Sequence, residues 1–300
     1  MQQATTAPGL DRSLAERISH ETYYQTVFRR FRRHRPGFIS LIFLGLMLLL
    51  IAVTPLLSPY GPNQITSAFS AMPSAEHWLG TDQVGRDMLT RLMTGSGISL
   101  FVALLATVVS TLLGVLLGLA AGYFGGWIDI IIMRVTDIVM SFPYLLLVLV
   151  AAAIFGPGMW NIVLILGFVN WPGMARLVRS NVMSLRGVNY VQGSQVAGMP
   201  TIYILFKEIL PNTIAPVLIY ATSVMAQTML DEAALSFLGM GVQAPTASLG
   251  NLLNVAQSYT ILETKPWMWL PPGLMTILLV VAVNFIGDAL RDAFDPRNLQ

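Results

Sequence analysis

The stretch "FISLIFLGLMLLLIAVTPLLS", Phe38 to Ser58, holds no ionisable side chain. A helix of that length rises about 30 Å, the thickness of a bilayer's hydrocarbon core. It is too long for the apolar centre of a secretory signal, and no small-residue cleavage pattern follows it. It is therefore expected to stay as a span. The composition around it agrees: 55% of the 300 residues are hydrophobic and 11% charged, with a mean hydropathy of +0.67. Soluble domains carry about 25% charged residues. The net charge of +2 is too small to imply a nucleic-acid partner, so the cations matter through their placement. The absence of cysteine excludes disulfides and thiolate metal sites.

Outward from this run, no charge interrupts the chain between Arg91 and Asp129, which predicts a second span over Ile98 to Tyr123. The uncharged block between Asp137 and Arg176 is too long for one helix, and "FGPG" at Phe155 to Gly158 is its natural hairpin. That predicts a third span from Asp129 to Ile154 and a fourth from Met159 to Gly173. A fifth is expected from Pro211 to Leu230 and a sixth from Pro272 to Gly287. The expected fold is an all-α membrane protein of six transmembrane helices. It divides into an N-terminal tail with an interfacial amphipathic helix (1–37), a first span with an extracytoplasmic segment (38–95), a five-span core (96–290) and a C-terminal tail (291–300).

An even count puts both termini on one side. That side then holds Arg12, Arg17, Arg29, Arg30, Arg32, Arg33, Arg35, Arg176, Arg179, Arg186, Lys207, Arg291 and Arg297, while the other holds Arg86, Arg91 and Lys265. Arg134 falls within a span. Positive charge accumulates on cytoplasmic loops, so both termini are expected in the cytoplasm. Trp127, Trp160, Trp171, Trp267 and Trp269 are expected near span ends, where aromatic belts form.

Several smaller features carry a structural and a functional reading. Gly114, Gly118 and Gly122 form a small-residue stripe that lets a neighbouring helix approach closely; a packing face with no further role is the simpler account. Leu14, Ile18, Tyr24, Val27, Phe28 and Phe31 recur at helical spacing beside arginines, as in a helix lying on an anionic membrane surface. The alternative there is a basic tail that only sets orientation. Arg134 and Asp137, three residues apart, predict a local ion pair near the cytoplasmic interface. Asp231 and Glu232 fall about 30 Å beyond Pro211 along a helix, at the outer edge, where they either shape an external gate or cap the span.

Much chemistry is excluded. His20, His34 and His77 all lie outside the expected spans, and neither H-E-x-x-H nor G-x-S-x-G occurs. The only lysines, Lys207 and Lys265, belong to no phosphate-cradling G-x-x-x-x-G-K-[ST] loop. ATP-driven work by this chain would need a separate ATPase.

Against this apolar background, "VQGSQVAGMPTIYILFKEILPN", Val191 to Asn212, stands out. Arg186 to Ala197 is expected as a short helix whose Gly193, Ser194 and Ala197 form a flat side. Gly198 suits a helix-ending glycine, Pro200 a following first turn, and Pro211 the restart into the fifth span. Two short cytoplasmic helices tied to two spans make a docking knob.

This stretch resembles the cytoplasmic coupling motif of ABC importer permeases, E-A-A-x-x-x-G, nine residues, then I-x-L-P. Gln192, Gly193 and Ser194 take its first three places, Gln195, Val196 and Ala197 the variable ones, and Gly198 the glycine. Met199 and Pro200 follow, and Leu210-Pro211 close the motif. Gln192 replaces Glu, Gly193-Ser194 replaces Ala-Ala, and Glu208 stands where Ile is usual. "LGTDQVGRDMLTRLMTG" (Leu79 to Gly95), "LSFLGMGVQAPTASLGNLL" (Leu235 to Leu253) and "NFIGDALRDAFDPR" (Asn284 to Arg297) look like signatures of the C-type permease subunit of the oligopeptide/dipeptide (nickel) class. Ser248-Leu249 departs from the tryptophan common before that glycine.

The resemblance implies a type I, MetI-like permease fold with cytoplasmic coupling helices in a coupling loop at 178–211. It implies a bacterial or archaeal cytoplasmic-membrane importer in which this chain pairs with a homologous B-type permease, two ATPase subunits and an extracytoplasmic binding protein. ATP and Mg would be bound by the ATPases, leaving this chain without cofactor or metal and without catalysis. Peptides lead as substrate; nickel and other small solutes use similar permeases. An ion-coupled secondary transporter should carry paired ionisable residues at mid-membrane, and a membrane scaffold would leave the coupling motif unexplained.

Overall fold

The computed structural model describes residues 23–294; Leu14 and Ile18, expected on the lipid surface, and Arg12, Arg17, His20 and Arg297 lie outside them. Helix α1 (Tyr23–Arg33) runs into α2 (Arg35–Leu57), where the His34 ring accepts the Gly37 N–H as an N-cap. Phe31 does not face lipid as expected; it is buried beside Ala289 and Ala293. Phe28 is exposed.

The central element is α3 (Met88–Phe124), 37 residues long. It begins ten residues before the expected span, because Asp87 caps it by accepting the Thr90 N–H at 2.9 Å. Arg91 lies inside its first turns, buried, with Asp82 at 3.5 Å and the Pro62 carbonyl at 3.1 Å. An uncharged run marks where lipid can begin; it does not mark where the helix begins.

The expected third span is two helices, α4 (Gly126–Ser141) and α5 (Tyr144–Phe155), bent by 91°. Pro143 disfavours helical backbone at the residue before it and has no N–H to donate. Phe142 is accordingly extended, with φ −84° and ψ 143°. The fourth span does not stop at Gly173: α6 (Met159–Val169) is followed across Asn170 by α7 (Trp171–Arg186). Trp171 thus lies inside this helical stretch and is buried, not in an interfacial belt, whereas Trp127 and Trp160 are exposed at helix starts. The extension also changes the charge pairing. Asp137 pairs with Arg176 (2.6 Å) and Asp129 with Nε and Nη2 of Arg179 (2.5 and 2.6 Å), so the expected Arg134–Asp137 pair is replaced by bridges between α4 and α7.

Then come α8 (Asn189–Val196), the short α9 (Thr201–Tyr203) leading through a π-helical turn (Ile204–Ile209), and α10 (Leu210–Phe237). Helix α10 outruns the expected end at Leu230. Beyond it lie α11 (Leu249–Leu253), α12 (Tyr259–Thr264) and α13 (Leu270–Phe294). Among the described residues, five helical stretches are long and apolar enough to cross a membrane, and the bent pair supplies the sixth if counted as one span.

Helix α3 packs against α6, α7 and α10, and α13 joins α10 to α2. The glycine stripe faces α7. A Cβ on Gly114 would lie 2.5 Å from the Met174 Cβ, one on Gly118 2.7 Å from the Ala175 carbonyl oxygen, and one on Gly122 2.7 Å from the Val182 Cβ. Bare backbone is what lets these helices meet so closely.

Candidate functional site

Two regions hold the singled-out residues. The first is the knob between α7 and α10. Helix α7 ends at Arg186 and α8 starts at Asn189, so the expected continuous helix from Arg186 is broken at Gly187-Val188. Val191 anchors α8 by burying itself in a cluster with Val182, Ile204, Leu205 and Ile209. Gly198 closes the helix at φ +71°. The Met199 N–H donates to the Ser194 carbonyl (3.0 Å) and the Gly198 N–H to that of Gln195 (3.1 Å), the paired bonds of a Schellman cap. Pro200 is the residue just before α9, outside its first turn.

The expected flat side is divided. Gly193 and Ala197 face outward with Gln192 and Gln195, while Ser194 is half-buried and its hydroxyl donates to Glu208. The other Glu208 oxygen is buried without a hydrogen-bond partner among the described residues. Two departures from the family motif therefore touch each other. Ser194→Ala should cost about 1–3 kcal/mol by stranding a carboxyl group. The double change Ser194→Ala/Glu208→Ile should restore most of it. Melting temperatures of the wild type and the three variants in the cycle test this, and simple additivity would show the two residues act independently.

Pro211 explains the π turn. Its missing N–H cannot reach the Lys207 carbonyl, and the Leu210 N–H instead bonds to Leu205, five residues back. One residue on, the Asn212 side chain donates to the Glu208 carbonyl (2.6 Å) and to the Tyr190 hydroxyl (3.2 Å). Around the knob, Val196 (91% exposed), Met199, Ile202 and Phe206 form an exposed apolar collar. A cavity of about 460 Å³ lies beside α8, with Gln192, Gln195, Arg186 and Asp129 on its walls.

The second region surrounds Asp231 and Glu232. Both are buried inside α10, one to two turns before its end. Neither caps the helix; the adjacent acids reach in different directions. Asp231 accepts from the Tyr144 hydroxyl (2.6 Å) and the Gln227 amide (3.0 Å). Glu232, fully buried, accepts from Ser99 on α3 (2.6 Å) and from Ser236 (2.7 Å). Ser99 also receives the Leu249 N–H (3.1 Å), so Glu232 ties α3 and α10 to the start of α11. Tyr144, Ser99 and Gln227 were missed by the sequence reading. A polar residue directly after Pro143 in an apolar block was the available signal.

Residues 114–300 match the family described as binding-protein-dependent transport system inner membrane component, and residues 22–73 match the N-terminal TM domain of oligopeptide transport permease C. A protein of Brucella suis biovar 1 named as a candidate peptide permease is 44% identical over 89% of each chain. The oligopeptide transport system permease protein OppC of Escherichia coli K12 is 39% identical over 94% of this chain and 93% of that protein. The structure resembles the inward-facing MetNI methionine ABC transporter at a TM-score of 0.55, with 18% identity, covering 69% of this chain and 98% of that one; this likeness speaks for the fold. With a family match over most of its length and these relatives, the chain belongs to the binding-protein-dependent transport system inner membrane components, on the permease C branch.

Proposed function

We propose that this chain is one permease half of an ATP-driven peptide importer, paired with a homologous B-type permease. It passes substrate through the membrane and takes its conformational drive from two ATPase subunits docked on the knob, while a binding protein delivers substrate at the opposite face. Both termini are assigned to the cytoplasm, with the core at residues 96–290. ATP and Mg are assigned to the ATPases, and this chain to a non-catalytic role. The supporting observation is the apolar collar of Val196, Met199, Ile202 and Phe206 around the Gly198 turn, fixed to α7 and α10. Exposed apolar patches of this kind mark protein contacts.

The test is uptake by the complete complex in sealed vesicles. A cysteine replacing Val196, in this cysteine-free chain, reports which face carries the knob through its reaction with an impermeant thiol reagent before the ATPases are added. Tripeptide uptake should require ATP on that face and loaded binding protein on the other. Uptake driven by ATP from the opposite face would refute the docking assignment, and uptake of no peptide would refute the substrate.

A further inference from the structure

Two helix interruptions border one partly open cavity. One is Phe142–Pro143 between α4 and α5; the other is Asn170 between α6 and α7. The cavity, of about 220 Å³, lies between them. Its polar groups are the Tyr144 and Tyr220 side chains and Asn170, all half-buried, and apolar residues such as Met140 and Leu147 make up the remaining wall. The Asn170 amide donates to the Tyr144 hydroxyl (3.3 Å), which donates onward to Asp231. Tyr220, Gln227 and Asp231 stand at i, i+7 and i+11 on α10, so they share one face over roughly 16 Å. The Tyr220 hydroxyl lies directly over the Gly173 backbone, where a side chain would displace it.

We propose that this cavity is a contact site for the amino-terminal end of the transported peptide; the assignment rests on the peptide-importer reading above. Polar side chains within a membrane span are costly and mark solute paths. Interrupted helices are where transporters place substrate groups, because unwound backbone supplies unpaired polar atoms. Neutral amide and hydroxyl groups match the peptide main chain, which both donates and accepts. Among the described residues no lysine or arginine lines the cavity, so a terminal carboxylate would meet no counter-charge from them. Asp231, behind Tyr144, gives that wall an acidic side that suits an α-ammonium group. The flexible wall at Met140 accommodates side chains of different shape.

Single cysteines replacing Asn170 or Tyr220 provide the readout. The complete complex, arrested with vanadate, is treated with a small thiol reagent in the presence of tri-alanine or its N-acetyl derivative. Tri-alanine should slow modification at both positions at least fivefold, the N-acetyl compound less than twofold. A cysteine replacing the exposed Phe168 on α6 should react at one rate throughout. Tyr144→Phe should remove the preference for a free amine and lower uptake about tenfold with the complex intact. Equal protection by both peptides overturns the ammonium assignment. Absence of protection at both positions, in a complex that takes up tri-alanine, overturns the site but leaves the importer reading standing. A complex that takes up no peptide overturns both.

Discussion

Replacing Gly198 with valine is expected to leave the chain in the membrane and to lower transport at least tenfold, with ATP hydrolysis no longer responding to loaded binding protein. At φ +71° a side chain meets its own following carbonyl, which costs an L-residue about 1–2 kcal/mol, and a β-branched one fits worst. Relief requires leaving the left-handed region, which breaks the bonds from Gly198 to Gln195 and from Met199 to Ser194. Beyond the residue itself and its chain neighbours, a Cβ at this position meets no atom of the described chain within 4 Å, so the strain is local and no tertiary clash adds to it. The effect falls on the shape of the turn and on whatever docks there. Gly198→Asn separates these, since asparagine tolerates the same backbone; it should retain about half of wild-type transport. The spans form their hydrogen bonds internally, so membrane insertion should survive both changes. Full stimulation and stoichiometric ATPase in Gly198→Val would show that this turn is not where the ATPase couples.

Gly118→Leu should leave little folded protein. The nearest atoms to the new Cβ are the Ala175 backbone oxygen and the Val178 Cβ, both at 2.7 Å, and neither can rotate away as a side-chain tip can. Helices α3 and α7 would have to separate, opening the contacts that Gly114 and Gly122 make on either side. Overpacking of a tight core typically costs about 1–3 kcal/mol, and a seam that cannot yield lies at or above that range. Gly118→Ala should show the smaller effect as a lowered melting temperature in detergent. Gly45→Leu is the matched control, because a Cβ there meets nothing within 4 Å. If Gly118→Leu melts with the wild type, the close approach of these helices is not needed for stability.

The spans were readable because lipid excludes charge, and a gap between charged residues reports that directly. Helix ends were not. Asp87 and Arg91 begin α3 with a cap and a cluster of buried polar contacts, and hydropathy reads such residues as loop. The bend at Phe142 was written in Pro143, yet composition alone could not separate a kinked span from two segments. Gly198, read as a helix-ending glycine two residues before Pro200, does close α8 at positive φ. The inward turn of Ser194 was hidden, since its partner Glu208 is fourteen residues away, across the glycine turn and the start of the next helix. Asp231 and Glu232 looked like edge residues on a count from Pro211; their partners, Tyr144 and Ser99, lie on other helices.

The π turn at Ile204–Ile209 carries one residue more than an ordinary helical turn would. Removing any single residue there would erase that surplus and force Pro211 into an ordinary helical turn, where its ring clashes with the carbonyl four residues back and leaves that carbonyl without a donor. Apart from the buried Ile204, Leu205 and Ile209 and the Ser194 partner Glu208, spelling in this segment can drift as long as its letter count holds. Insertions and deletions between the knob and α10 are thus a sterner filter on viable variants than substitutions, and chimeras spliced at this junction must preserve spacing before chemistry.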